Sequence, residues 1–504
     1  MEPLALQYCE VPHWPPLAWA ADCYADSNRP PQVAVRHGPK VACHDDWFCE
    51  AIWDGDFAEG NFDQTSLIFG SGGRKRSDEI VFVPSGAPVD RLQYMSLGGR
   101  LLVSNSLTAL LEATDAEVDP LYRHYLRDFN SITKGIRRYK RILRTSRGDV
   151  SILYFNNLKW RAGIVSEVDK PADQPDFDDF NAYYSYMQSA IHRLMRNAEA
   201  RQRLPRLSAL GTLSCGYDAA TATTIASHCG LQAAITFPEQ KDATCESAKI
   251  MAKCLGIELV VASRDGWRST PLPEVPFLAP GGIGSEMYLA GVSSLLRDKA
   301  LFTGFQGDVV WNKVIPHVSN DLRRNTPVGL SLMEFRLLTG FVHCPVPFLG
   351  IRNLKQINRI SNQPEMDNWS IGSDYDRPIC RRIVEDSGIP REAFGMHKSM
   401  ASLIPRTLRN FTEASFEDYL GWLSEHSSKR FLDPLLERKT LLPVKVGARA
   451  LSAAIRPAAA AVPKLQRPAK LLKTYAGREY LFRYVFPWAI FHNRTHYRCR
   501  PERG

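Results

Sequence analysis

Two short segments carry the residue types from which phosphate chemistry is built. In LGTLSCGYDAATATTIA (Leu210 to Ala226) an apolar run ends at Leu213, and a loop of small residues, Ser214 to Asp218, passes directly into a helical stretch. The first backbone N–H groups of a helix have no intrahelical partner and the helix dipole is positive there, so such a turn offers an anion site; Gly216 lets the backbone approach closely. The loop lacks the lysine of GxxxxGK[ST], and no GxGxxG follows a strand, so neither the mononucleotide P-loop nor the dinucleotide fingerprint is present. In ALFTGFQGDVVWN (Ala300 to Asn312), Gly304, Gly307 and Asp308 follow another apolar run. If both runs are strands of one parallel sheet, Asp218 and Asp308 emerge on one edge and could share a Mg²⁺ ion bridging nucleotide phosphates. The plainer reading makes Asp308 a helix N-cap and Gly304 a turn residue.

The elements around these loops alternate. LSALGTL (Leu207 to Leu213), AAITF (ending at Phe237), ELVVA and ALFT (Ala300 to Thr303) read as strands. Between them lie helices closed by Gly230 and Gly256 and a third around Ser285 to Arg297. Helices of about ten residues between short apolar strands predict βαβ units and a parallel sheet, whose ligands sit at the carboxyl ends of the strands. The first 165 residues instead show short alternating runs punctuated by turn residues, so strands outnumber helices there. EVDKPADQPDFDDFN (Glu167 to Asn181) divides this region from an amphipathic helix near Tyr184 to Glu199. Beyond about residue 320 the pattern is mainly helical, and RPAAAAVPK reads as a short helix between prolines. Residues 438–504 hold most of the excess Lys and Arg, interleaved with Tyr475, Tyr480, Phe482, Tyr484, Phe486 and Trp488. Such a stretch suits nucleic acid or anionic lipid, or a solvated surface whose aromatics dock on the protein, the more frequent outcome.

A chain of 504 residues with 44% hydrophobic and 23% charged residues is globular and of two or three domains. Its net charge of +9 is mild over that length and suits an anionic partner without singling one out. Eleven cysteines without a CxxC pair argue against a disulfide framework or structural zinc and for a reducing cytoplasm. The start of the chain, without early Lys or Arg and broken by Pro3, Pro12, Pro15 and Pro16, makes a poor signal peptide, and no membrane span is expected.

The two loops, in this order, resemble those of the asparagine synthetase-like branch of the PP-loop ATP pyrophosphatases. Residues 214–219 (SCGYDA) lie on that family's SGGxDS loop, and residues 304–309 (GFQGDV) on its GEGxDE loop. ESAKIMAKCLG from Glu246 is similar to the helix between them, CPVPFLGIRNLKQINRIS (Cys344 to Ser361) to the PFLD segment, and RPICRRIVEDSGIPREAFGMHKS (Arg377 to Ser399) to the stretch ending in the family's catalytic lysine, here Lys398. MSLGGRLLVSNSLTALLEA and SITKGIRRYKRILRTSRGDVSILY resemble the end of the glutaminase-type domain and its connection. The resemblance spans most of residues 80–400. It implies an α/β fold: a degenerate Ntn-glutaminase-like α+β domain (residues 1–165), a parallel-sheet PP-loop, adenine nucleotide alpha hydrolase-like domain (182–420) and a basic helical extension (421–504). It implies ATP held by Leu213, Ser214, Cys215, Gly216, Tyr217, Asp218, Ala219, Phe237, Gly304 and Gly307, Mg²⁺ on Asp218 and Asp308, and Lys398 as the cation for charge developing at the α-phosphate. The implied reaction activates a carboxylate as an acyl-adenylate and passes it to ammonia or an amine. The carboxylate would belong to a small molecule, such as a polysaccharide sugar acid, or a peptide.

The sequence also departs from the family. Glu2 stands where amidotransferases carry their cysteine, and no thiol precedes Cys9, so a glutaminase activity is not expected. Cys215 and Ala219 replace a glycine and a serine, while Phe305 and Val309 replace side chains that are acidic or, at the first position, tyrosine. An apolar Phe305 cannot act as a base; Glu334, with Asp374 or Asp376 behind it, is the candidate. Cys215 at a helix start also admits a reactive thiol. SNQPEMDNWSIGSDYDRP (Ser361 to Pro378) reads equally as a loop over the site or as a connector. His492, His496 and Cys499 have helical spacing, though an ordinary surface explains them better. Two rivals stay open: a PP-loop enzyme acting on RNA, and a nucleotide-binding scaffold without catalysis. A homodimer is compatible with each of these readings, the ligase included.

Overall fold

The computed structural model describes residues 4–26, 29–173, 175–238, 244–315, 318–324, 332–395, 408, 411–427, 447, 450–451, 454 and 481–498. It is a mixed α/β structure with several sheets. The N-terminal strands form three of them, the smallest a two-stranded ribbon of Ile52–Trp53 and Ile68–Phe69. The seven-stranded sheet runs in the order Ala5–Glu10, Arg29–His37, Trp19–Asp26, Arg100–Ser104, Arg91–Leu97, Gly148–Tyr154, Ile142–Thr145, and is antiparallel except for its first pair. The second, antiparallel and six-stranded, runs from Ile164–Val168 through Asn157–Arg161, Glu79–Val83, Gly72–Arg76 and Trp47–Cys49 to Ala42–His44. Val33, Val35, Phe48, Phe82, Leu92, Val103 and Trp160 from both sheets share one core, in which Trp19 stacks on Phe82 at 6.1 Å. Period-two alternation puts these side chains on inner faces, as in any sandwich of two sheets. The helix α1 (Leu107–Ala113), capped by the Ser106 hydroxyl, is buried from Leu107 to Leu111.

A long helix, α2 (Phe180–Ala198), follows the acidic connector. Its N-cap is Asp179, whose carboxylate accepts from the Ala182 N–H at 2.8 Å. Phe180, Tyr183, Met187, Ala190, Ile191 and Leu194 recur at helical spacing on its buried face. Beyond it lies a five-stranded sheet in which every pair is parallel: β1 (Ser208–Thr212), β2 (Ala233–Thr236), β3 (Glu258–Val261), β4 (Lys299–Thr303) and β5 (Val342–Pro345), in the spatial order β3-β2-β1-β4-β5. The helices α3 (Tyr217–His228) and α4 (Thr244–Leu255) make the first two crossovers, and Gly230 and Gly256 close them at positive φ. Leu210, Leu301 and Phe302 are buried in the sheet, and Gly211 makes room for Thr223, whose hydroxyl donates to the Thr212 carbonyl at 2.8 Å.

Two expectations change here. The predicted helix at Ser285–Arg297 is a 3₁₀ segment, Met287–Val292, followed by one short α-turn, Ser293–Leu296. The fifth strand lies inside a region read as helical: VHCP has four residues, ends on Pro345 with Pro347 close behind, and shows no alternation, so burial beside β4 and the following 3₁₀ turn decides its state.

Apolar packing joins the regions. Ile52, Phe69, Val89 and Phe155 pack in one cluster with α2 and the parallel-sheet core. Further helices include α5 (Leu332–Thr339), α6 (Pro378–Asp386), α7 (Glu413–Ser427) and α8 (Val485–Asn493). Phe482, Tyr484, Phe486 and Trp488 are buried against Tyr125, Phe129, Leu278, Phe411 and Tyr419, so this part of the basic extension docks by its aromatics. Tyr475, Tyr480 and the RPAAAAVPK stretch lie outside the described residues. Deep in the molecule, Arg336 of α5 holds Asp90 by Nε at 2.8 Å and Glu50 by Nη1 and Nη2 at 2.6 and 3.0 Å, so a buried ion triad links the N-terminal sheets to α5. No helix among the described residues is long and apolar enough to cross a membrane.

Candidate functional site

The strand order places the two glycine-containing loops side by side. From β1 the chain steps outward to β2 and β3, then returns to the other side of β1 as β4. The strand order therefore reverses between β1 and β4, and the crevice outside their carboxyl ends is where open α/β sheets bind ligands. Residues 213–216 leave β1 there, and residues 304–306 leave β4.

These loops touch backbone to backbone. A Cβ on Gly304 would lie 2.2 Å from the Asp218 carbonyl carbon and 2.5 Å from the Ala219 nitrogen, and one on Gly307 would lie 2.2 Å from Asp218 Oδ1. Only glycine fits either position. Between them Gln306 is held at φ +70, in the left-handed region that non-glycine residues seldom adopt, and is 5% exposed. Asp308 stands in the first turn of the short helix Gly307–Val310, half-buried.

The first loop is anchored at both ends. The Leu213 N–H donates to the Ile235 carbonyl at 2.9 Å, and the Cys215 carbonyl accepts from the Gly395 N–H at 2.7 Å. Ser214, Cys215 and Ala219 are half-buried, and Gly216 is the extended N-cap residue of α3. Tyr217 is fully buried: Arg381 Nε donates to its hydroxyl at 3.2 Å, and the rings of Tyr375 and Phe394 lie 4.9 and 5.9 Å away. Burial pushes its phenol upward, against the pull of Arg381. Tyr217 therefore sets the position of α3, while its side chain is unavailable to a ligand. Phe237, just beyond β2, is buried edge-on against Tyr288 at 4.8 Å.

A residue not singled out from the sequence sits at the centre. Arg377, only 3% exposed, forms an ion pair with Asp218 through Nη1 and Oδ1 without an aligned hydrogen bond; among the described residues its Nε has no hydrogen-bond partner. The guanidinium lies 5.0 Å from the Tyr375 ring centre and 6.0 Å from that of Tyr217, and burial lowers its affinity for the proton. It is delivered by the Ser361–Pro378 segment, which thus reaches the site. Asp376 closes that segment on itself, accepting from the Ser370 hydroxyl and from the Ile371 and Gly372 N–H groups at 2.5, 3.2 and 3.1 Å. Asp376 is engaged as an anchor, and Asp374 is exposed.

Glu334 is not brought to these loops. It is 3% exposed in α5, where Ser106 donates to both carboxylate oxygens at 3.1 and 2.9 Å and the Tyr497 hydroxyl donates to Oε1. Burial raises its proton affinity, and both of its oxygens are engaged by Ser106 and Tyr497, so it acts here as an anchor between α5 and its neighbours. Lys398 lies outside the described residues, three positions after Gly395. His492 pairs with Asp418 at 2.6 Å, and Cys499 lies outside the described residues.

The site fits phosphate better than it fits a metal. The helix start, the close glycine contacts and a buried guanidinium with an open donor are all suited to phosphate oxygens. A Mg²⁺ ion on Asp218 would have to displace Arg377 from Oδ1 or sit beside it. At about 4 Å and an effective dielectric near 20, a divalent and a unit cation repel by roughly 8 kcal/mol. The expected magnesium site on Asp218 and Asp308 is therefore at odds with the ion pair in place.

No family model matches the chain, and no curated protein matches its sequence.

Proposed function

We propose that this chain is an ATP-dependent amide-forming ligase, with a PP-loop type nucleotide site on the β1 and β4 loops. The observation that carries the reading is the contact of Gly304 and Gly307 with Asp218 at the reversal of strand order, beside the start of α3. The two loops resembling the family's ATP loops are adjacent, though separated in sequence by two further strands.

On this reading the pyrophosphate of ATP lies on the N–H groups following Ser214. A carboxylate oxygen of the substrate attacks the α-phosphorus and the bond to pyrophosphate breaks. An amine nitrogen then attacks the acyl carbon, AMP leaves with the bonding electrons, and the surplus proton of the nitrogen passes to solvent. Such chemistry asks of the protein orientation and charge stabilisation more than covalent participation. The loops orient the phosphates and Arg377 supplies positive charge; Lys398 is the second cation that the resemblance implies.

Incubating the chain with ATP and a panel of carboxylates and amines, with and without Mg²⁺, tests this. Pyrophosphate release that depends on a carboxylate and falls at least about a hundredfold in Gly304→Val supports it. Nucleotide binding without release for any pair favours the scaffold reading, which the occupied Asp218 carboxylate also suits. No nucleotide binding at all removes the proposal.

A further inference from the structure

We infer that Arg377 takes the place of a divalent cation at this site: its guanidinium bridges Asp218 and the pyrophosphate of a nucleotide, so that phosphate binding here needs no metal ion. The inference rests on the nucleotide site proposed above and concerns how that site handles charge.

Three observations carry it. Arg377 is buried to 3% exposure with Nη1 on Asp218 and, among the described residues, Nε without a hydrogen-bond partner. Buried donors are seldom left open, and an open one beside an anion-binding turn marks where an acceptor belongs. Second, the cation is fixed in place. Tyr375 and Tyr217 flank the guanidinium, and Pro378 begins α6 directly after it. Third, Gly307 brings the second loop against the same Asp218 oxygen that Arg377 engages, so loop, carboxylate and cation form one contact.

A metal ion between a carboxylate and phosphates is a bridge with acceptors on both sides. A guanidinium with five donors in a planar fork can make the same bridge, one edge on the carboxylate and another on phosphate oxygens, and it stays charged at any physiological pH. The arrangement also gives Asp218 a purpose consistent with its occupied state: it orients the guanidinium and half-neutralises the site until the anion arrives.

The test uses the full chain and two probes. Titration calorimetry with inorganic pyrophosphate, in EDTA and in Mg²⁺, is expected to give dissociation constants within about threefold of each other, and Arg377→Ala to weaken binding in EDTA by at least about tenfold. Arg377→Lys, which keeps the charge opposite Asp218 but loses the fork, is expected to fall between them and covers the case in which the alanine variant does not fold. In the second experiment Mn²⁺ is followed by electron paramagnetic resonance without nucleotide. The unaltered chain should hold no Mn²⁺ at this site, whereas Arg377→Ala should gain a site that Asp218→Asn then removes. Pyrophosphate binding that disappears in EDTA and returns with Mg²⁺, or Mn²⁺ binding by the unaltered chain that Asp218→Asn abolishes, overturns the inference and leaves the ligase reading standing. No pyrophosphate binding under either condition overturns both.

Discussion

The main-chain N–H of Gly395 donates to the carbonyl oxygen of Cys215 at 2.7 Å, tying the segment after α6 to the loop after β1. Gly395 sits at φ +69, and a Cβ there would lie 2.3 Å from the Tyr217 ring. Gly395→Ala therefore meets both a left-handed backbone and a buried ring that cannot retreat. It should lower stability by about 2 kcal/mol or more and weaken nucleotide binding with it, because Tyr217 sets α3. Urea denaturation and nucleotide titration of the same variant check both; unchanged binding would separate this hydrogen bond from the site.

The two loop glycines should respond differently to the same change. Gly304→Ala meets the Asp218 backbone, whereas Gly307→Ala meets chiefly its side chain. Each should cost about 1–3 kcal/mol. In an Asp218→Ala background the cost of Gly307→Ala should shrink by about 1 kcal/mol or more, while that of Gly304→Ala should not. A double-mutant cycle on denaturation free energies measures this.

Burial holds the Glu334 carboxyl above its ordinary range despite the hydroxyls of Ser106 and Tyr497 that donate to it. For a raised group the favourable contribution is complete below the unfolded-state value and is lost as pH rises through the folded-state one. Stability should thus decline on going upward from about pH 4, and Glu334→Gln should flatten part of that decline. Glu50, Glu274 and Asp386 are also raised by burial and add to the decline. Pyrophosphate binding should be unaffected, which separates Glu334 from the chemistry.

Lys170 shows the opposite slope. It is 3% exposed, donates to Asn157 Oδ1 at 2.8 Å, and burial lowers its pKa to about 7. The unfolded chain then binds the extra proton between about pH 7 and pH 10, so stability should rise across that window. Lys170→Met should remove this rise. A slope unchanged by the substitution, in unfolding curves taken at steps of pH, would show that the ammonium is charged in the fold.

Much of the site was legible from local pattern. The strands and glycine-closed helices on either side of Leu213 and the apolar run before Gly304 are short-range signals, and the parallel sheet follows from their alternation. Arg377 was not legible as a site residue, since nothing local ties it to Asp218; the pairing exists only because α6 packs against α3. Glu334 was misplaced for a related reason. Its spacing after Asp308 says nothing about direction, and α5 turns it toward Ser106 and Tyr497. Tyr217 looked like part of a phosphate loop, yet its ring points inward, because a helix start presents backbone groups to a ligand while its side chains pack behind.

The docking of residues 481–498 sets a timetable for synthesis. Tyr125 and Phe129 acquire their neighbour Phe486, at 4.7 and 4.9 Å, only after more than three hundred further residues have been made. At about 5–20 residues per second that interval lasts roughly tens of seconds, during which the helix Tyr125–Phe129 presents an unfilled apolar surface. Chaperone demand during expression, and aggregation of nascent chains stalled before Trp488, follow from that order of assembly.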